Sequence, residues 1–160
     1  MRHSREGGNP LRTEQQEVND QQLAEACVAE LYQRDPASIE LGMRIIEVQP
    51  DIAVVTMTVR RDMLNGHATC HGGFVFSLAD SAFAFACNTG NKATVASGAS
   101  IEYVAPAREG DLLTARAEKK HRAGRLGVYD ITVTNQNNEV VAYFRGKSYQ
   151  TKQAVLPERD

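Results

Sequence analysis

Between His71 and Cys87 the chain reads HGGFVFSLADSAFAFAC, seventeen residues with a single carboxylate, Asp80. An apolar run of that length predicts a helix from about Gly72 to Asn88, covered on every side. No open sheet covers a helix on all sides. A sheet must curl around it, and a second copy of the chain is the natural lid for whatever the sheet leaves bare. A carboxylate inside such a helix is costly unless it is paired or put to use. His71-Gly72-Gly73 opens the run, so free backbone N–H groups and the positive end of the helix dipole lie at its start. An acid in the middle and amides at the end are the parts of a hydrolytic site for a polarised carbonyl.

The flanking sequence supplies the sheet. Leu41–Gln49 and Ile52–Arg60 read as strands joined by a tight turn at Pro50-Asp51, and 61–70 reads as a loop. Thr89-Gly90-Asn91 stops the apolar helix. Four more strands are expected: Thr94–Ala105, Asp111–Lys120, Arg125–Asn135 and Val140–Gln150, with hairpin loops at Gly124 and Asn137-Asn138. Upstream, Asn19 or Asp20 caps a helix running to about Gln33, with Leu23, Cys27, Val28 and Leu31 inward, and Asp35-Pro36 ends it. The expected fold class is α+β: a six-stranded antiparallel sheet around one long apolar helix. Residues 1–18 are expected to be a disordered leader, 19–150 the domain, and 151–160 a C-terminal tail.

Composition excludes several functions. The net charge of −2 argues against a nucleic-acid partner, which needs a dense basic face. Asp80 breaks the one run that approaches membrane-spanning length, so no membrane segment is expected. The leader lacks the apolar stretch of a signal peptide. Cys27, Cys70 and Cys87 are odd in number and lie in apolar or helical segments, which fits buried free thiols and a cytoplasmic location.

Asn65-Gly66-His67-Ala68-Thr69-Cys70-His71-Gly72-Gly73 followed by Ser77-Leu78-Ala79-Asp80 resembles the signature of hotdog-fold acyl-CoA thioesterases. The match extends to the PaaI branch, which acts in phenylacetate degradation, through Phe85-Ala86-Cys87-Asn88, Gly127-Val128-Tyr129-Asp130-Ile131 and Phe144-Arg145-Gly146-Lys147-Ser148. The resemblance spans roughly 25–150. It implies hydrolysis of an acyl-CoA such as phenylacetyl-CoA or hydroxyphenylacetyl-CoA, without a cofactor. It implies Asp80 as nucleophile or general base, the Gly72 N–H as donor to the thioester carbonyl, and Asn65 as the group that positions water or thioester. It further implies a homodimer with shared sites, and a homotetramer.

Geometry points the same way. Gly72 and Asp80 are eight positions apart, ~12 Å along a helix. One thioester carbon cannot touch both in a single chain, whereas two antiparallel helices bring one Gly72 beside the other Asp80. The resemblance implies small polar residues near the thioester at Ser97 and Ser100; substrate contacts are also expected from His71 and Gly73, and from Arg122 and Arg125 in the basic hairpin loop His121–Arg125. His67, Cys70 and His71 could be drawn with Asp80 as metal ligands, but His67 lies in the loop and no metal is expected. Cys70 as nucleophile, and His71 as base instead of loop anchor, are the other site readings. An acyl-thioester hydratase or dehydratase and a non-catalytic acyl-CoA-binding protein are the alternative functions.

Overall fold

A computed structural model describes residues 12–158; of the expected leader, residues 1–11 lie outside them. Helix α1 (Glu14–Gln33) starts five residues before the expected Asn19. Thr13 caps it: its hydroxyl accepts from the Gln16 N–H, and the Gln16 side chain accepts from the Thr13 N–H. Ala24, Cys27 and Val28 are its buried residues. Asp35-Pro36 ends α1 as expected but also opens a second, unforeseen helix, α2 (Pro36–Glu40). Its N-cap is Asp35, and proline is well suited to the first helical position, where no N–H is needed.

Six strands follow the expected order: β1 (Arg44–Gln49), β2 (Ile52–Thr58), β3 (Thr94–Tyr103), β4 (Leu112–Ala123), β5 (Leu126–Thr134) and β6 (Val140–Gln150). They form one antiparallel sheet ordered β1-β2-β4-β5-β6-β3. Helix α3 (Gly72–Cys87) lies in its concave face and touches β2, β4, β5, β3 and β6. β3 is an edge strand, and Val95, Tyr103 and the adjoining Val104 are exposed along it.

The sheet-facing side of α3 is dry. Phe83 there is 1% exposed, and Phe85, on another face, is equally buried with its ring 6.2 Å from Tyr32 of α1. The Phe83 ring packs 5.6 Å from Tyr129 and 6.1 Å from Phe144. Gly146 makes this possible: a Cβ there would sit 2.7 Å from the ring. Burial of each such ring contributes about 1.5–3 kcal/mol. The opposite side of α3 is not dry. Gly73 is exposed, and Ser77, Asp80, Ser81 and Ala84 are only half-buried. That strip is what a curled sheet leaves bare. No helix among the described residues is long and apolar enough to cross a membrane.

One further expectation needs correction. β4 runs on to Ala123 through a bulge between Lys119 and His121, so His121 and Arg122 belong to a strand and not to a loop. Thr151 and Gln153, in the expected tail, are hydrogen-bonded to Ala93 beside the start of β3.

Candidate active site

The entry to α3 is a tightly specified loop. The Asn65 N–H donates to the Thr69 carbonyl, and Leu64 bridges to Cys70. The Asn65 side-chain oxygen accepts from the His67 N–H (2.9 Å) and the Thr69 N–H (3.2 Å), and its amide donates to the Thr69 hydroxyl (3.1 Å). Asn65 therefore builds the turn. The His71 N–H then donates to the Met63 carbonyl and the Cys70 N–H to that of Ala107, which fixes where the helix begins.

At that start the amides divide their work. His71 Nδ1 accepts from the Gly73 N–H at 3.0 Å, so the imidazole is the N-cap and the Gly73 amide is spent. His71 is thus a loop anchor. The Gly72 N–H has no acceptor among the described residues. It remains free at the positive end of the helix dipole. Gly72 and Asn65 line one hollow of about 410 Å³, together with Thr69 and Tyr103. The Tyr103 hydroxyl donates to the Gly72 carbonyl at 2.9 Å. A Cβ on Gly72 would meet the Tyr103 ring at 2.9 Å, so a larger residue there must displace that exposed side chain.

Asp80 lies in a different hollow of about 320 Å³, walled by Asp35, Ser38, Leu41, Met43, Phe76 and Ala84 among others. The two hollows share no lining residue. Asp80 makes no hydrogen bond or ion pair with any described residue, so it is not a paired structural acid. Burial raises its pKa above the usual carboxylate value, and the nearby Asp35 charge raises it further. Asp35 is held in place by the Ser38 N–H (3.0 Å) and the Ser38 hydroxyl (2.6 Å), and Ser38 Oγ lies 2.8 Å from Ser81 Oγ. Neither Asp35 nor Tyr103 was signalled by sequence. Both reach the site by tertiary contact, and only the unforeseen N-cap of α2 could have pointed to Asp35.

The other expected residues scatter. Ser97 is exposed at the β3 bulge and donates to the Lys147 carbonyl. Ser100 lies on the outer face of the sheet with Glu118, Asp130 and Arg145, away from both hollows. Arg122 is not a free basic group: it bonds the buried Tyr129 hydroxyl at 3.0 Å and pairs with Asp51. Arg125 is exposed, and its guanidinium donates to the Tyr149 hydroxyl. All three cysteines are free and buried. Burial pushes the Cys70 thiol up, against a nucleophilic role, and Cys87 up to about 12. Among the described residues no cluster could hold a metal ion.

A sheet curled about one helix, with the amides at its start and the acid at its middle, is the hotdog thioesterase fold, and the model of the thioesterase superfamily matches residues 67–142. The chain belongs to that family. Its relatives are specific: it is 50% identical over 128 residues to the acyl-coenzyme A thioesterase PaaI of Escherichia coli, covering 80% of this chain and 91% of that one. The solved structure of the E. coli PaaI protein from the phenylacetic acid degradation operon superposes with a TM-score of 0.82 at 46% identity, covering 84% of this chain and 97% of that one. A Streptococcus mutans protein solved with acetyl-CoA superposes with a TM-score of 0.67 at 26% identity, covering 69% and 90% respectively.

Proposed function

We propose that the chain hydrolyses aryl-acetyl thioesters of coenzyme A, phenylacetyl-CoA or a hydroxylated form, at sites shared between two copies. The observation that carries this is the division of the machinery: a free Gly72 amide in one hollow and an unpartnered Asp80 in another. They are ~12 Å apart along α3, and each is useless to the other within a protomer. The half-bare strip of α3 and the unpaired edge of β3 give a second copy its place. An antiparallel partner helix sets the partner's Gly72 beside this Asp80.

In the assembled site the thioester oxygen accepts from the Gly72 N–H, where developing negative charge is favoured. Asp80 takes a proton from the attacking water, and its raised pKa suits a base. The thiolate of coenzyme A leaves without needing a strong acid. Asn65 holds the loop that presents Gly72. Phe76, half-buried in the Asp80 hollow, offers an aromatic acyl group a ring to pack on. No histidine lines that hollow, so a histidine–acid pair of the hydratase type is not formed within the protomer. Three reduced cysteines suit the cytoplasm, where the substrate would be found.

The test is thiol release from a panel of acyl-CoAs, wild type beside Asp80→Asn. Aryl-acetyl thioesters should be turned over best, and the variant should lose at least about a hundredfold in kcat. A variant as active as wild type removes Asp80 from the reaction. Turnover in heavy-oxygen water separates base from nucleophile, because label in Asp80 marks direct attack.

A further inference from the structure

The attacking water needs a second partner. Asp80 takes one of its protons, but Asn65, the residue expected to hold the water, spends its side chain on the turn with His67 and Thr69. Ser97 and Ser100 lie outside the Asp80 hollow. A water held by a single hydrogen bond swings about that bond, and its lone pair has no fixed aim.

The side chains of that hollow offer acceptors and nothing else. Three serines line it, and the hydrogen of each hydroxyl is already spent. Ser77 Oγ donates to the Gly73 carbonyl at 2.8 Å, the ordinary resting place of a helical serine. Ser38 Oγ donates to the Asp35 carboxylate at 2.6 Å, and a hydroxyl has one hydrogen to give. The 2.8 Å bond between Ser38 and Ser81 therefore runs from the Ser81 hydroxyl to Ser38 Oγ. Ser81 is left with lone pairs only. Ser38 is 1% exposed, so bulk water does not compete for that bond. The chain of hydroxyls is anchored on α2, a separate element from α3, where the Ser38 N–H also holds Asp35 at 3.0 Å. Among the described residues no lysine, arginine or histidine lines the hollow. A wall of this kind takes a donor, and water is a donor twice over.

We infer that Ser81 holds the attacking water against Asp80, and that Ser38 and Asp35 are positioning residues that fix the direction of the Ser81 hydroxyl. This rests on the thioesterase reading above, with Asp80 as general base. The water gives one hydrogen to Asp80 and the other to Ser81 Oγ. Its free lone pair then points out of the hollow, to the side that the partner copy closes. The water oxygen bonds the thioester carbon as its first proton passes to Asp80. The C–S bond breaks, and the coenzyme A thiolate leaves with the electron pair. The second proton stays on the new carboxylic acid, still donated to Ser81. A hydroxyl free to turn would also donate to the water oxygen and occupy the lone pair that must attack. Spending that hydrogen on Ser38 removes the competing arrangement.

The experiment follows phenylacetyl-CoA hydrolysis by the full-length wild type, Ser81→Ala, Ser81→Thr, Ser38→Ala and Ser77→Ala, with a thermal melt and size-exclusion chromatography on each. Ser81→Ala should lose roughly ten- to thirtyfold in kcat with KM within about twofold. The acid limb of its pH profile should stay in place, because no charge has changed. Ser81→Thr keeps the hydroxyl and should come within about threefold of the wild type. Ser38→Ala leaves Ser81 free to donate and should lose about three- to tenfold, again in kcat. Wild-type kcat in Ser81→Ala overturns the assignment, and so does a loss carried by Ser77→Ala in its place. Label in Asp80 after turnover in heavy-oxygen water overturns it too, since the carboxylate and not the water then attacks. If Ser81→Ala melts early or fails to pair, the isosteric Ser81→Thr and Ser81→Val carry the comparison. A threonine variant at least about fivefold faster in kcat than the valine variant supports the assignment, and equal rates overturn it. A wild type inactive on every acyl-CoA fails the thioesterase reading itself and the water assignment with it, whereas an active wild type indifferent to Ser81 fails the water assignment alone.

Discussion

Adding one methyl group at Gly72 tests the free amide. An alanine Cβ there lies 2.9 Å from Tyr103 Cζ and 3.0 Å from its hydroxyl oxygen, well inside van der Waals contact. Tyr103 is 52% exposed, so its ring swings away instead of forcing the helix to move. The swing breaks the 2.9 Å bond to the Gly72 carbonyl, a loss of about 0.5–1.5 kcal/mol. Alanine recovers up to about 1 kcal/mol through helix propensity, less at a first helical position. Stability should therefore change by no more than about 1.5 kcal/mol, a Tm shift of at most about 3–6 °C. Activity should change far more. The displaced ring enters the hollow that a thioester oxygen must reach, and losing one such donor is worth about 10²–10³ in kcat. Thermal melts and thiol-release kinetics on Gly72→Ala measure both. The decisive control is Gly72→Ala/Tyr103→Ala, which removes the obstruction and should regain at least about tenfold over the single variant. Wild-type kcat in Gly72→Ala would refute the reasoning, and so would a double variant no better than the single.

Asp80→Asn should trade activity for stability. Because burial and Asp35 raise the Asp80 pKa, the folded chain holds that proton more tightly than the unfolded chain. The stability this contributes is fully present below the ordinary Asp pKa of about 4 and is lost as pH rises through the raised value. The variant should melt above the wild type at pH 7, and the gap should close near pH 4. Asp35→Asn should lower the Asp80 pKa, so the acid limb of kcat/KM moves to lower pH; an unmoved limb would show that the Asp35 charge is screened from the base. Tyr129→Phe removes the buried hydroxyl between Asp51 and Arg122. It should cost about 1–3 kcal/mol in denaturant unfolding and leave kcat unchanged, since the cluster sits at the far end of α3.

What was legible in the sequence followed how local its signal was. The bounds of α3 and the succession of strands along the chain were readable because a sustained apolar run and period-two alternation reflect only neighbouring residues, whereas the order of strands in the sheet, with β3 at the edge beside β6, was not. The start of α1 was missed because Thr13 and Gln16 sit in a polar stretch that composition alone treats as a leader. α2 was missed because Pro36 reads both as a stop and as a first helical residue, and only the bond from the Ser38 N–H to Asp35 decides between them. In the candidate site, the places of Gly72 at the start of α3 and of Asp80 in its middle were readable from the apolar run. The division of labour between the Gly72 and Gly73 amides was not, because it depends on the rotamer of His71. Ser97 and Ser100 lie outside both hollows of the protomer, and β3 bulges between Ala96 and Gly98, where a bulge changes which face a residue presents. Arg122 looked free because its partners, Asp51 and Tyr129, are distant in sequence.

The shared site is tested most directly by mixed dimers. Asn65→Ala disables the loop that presents Gly72, and Asp80→Asn disables the acid, so each homodimer should be inactive. In a purified heterodimer of the two, one site combines both lesions and the other has none, so about half the wild-type activity per dimer should return. A heterodimer as inactive as its parents would place both groups in one protomer's site and contradict the account.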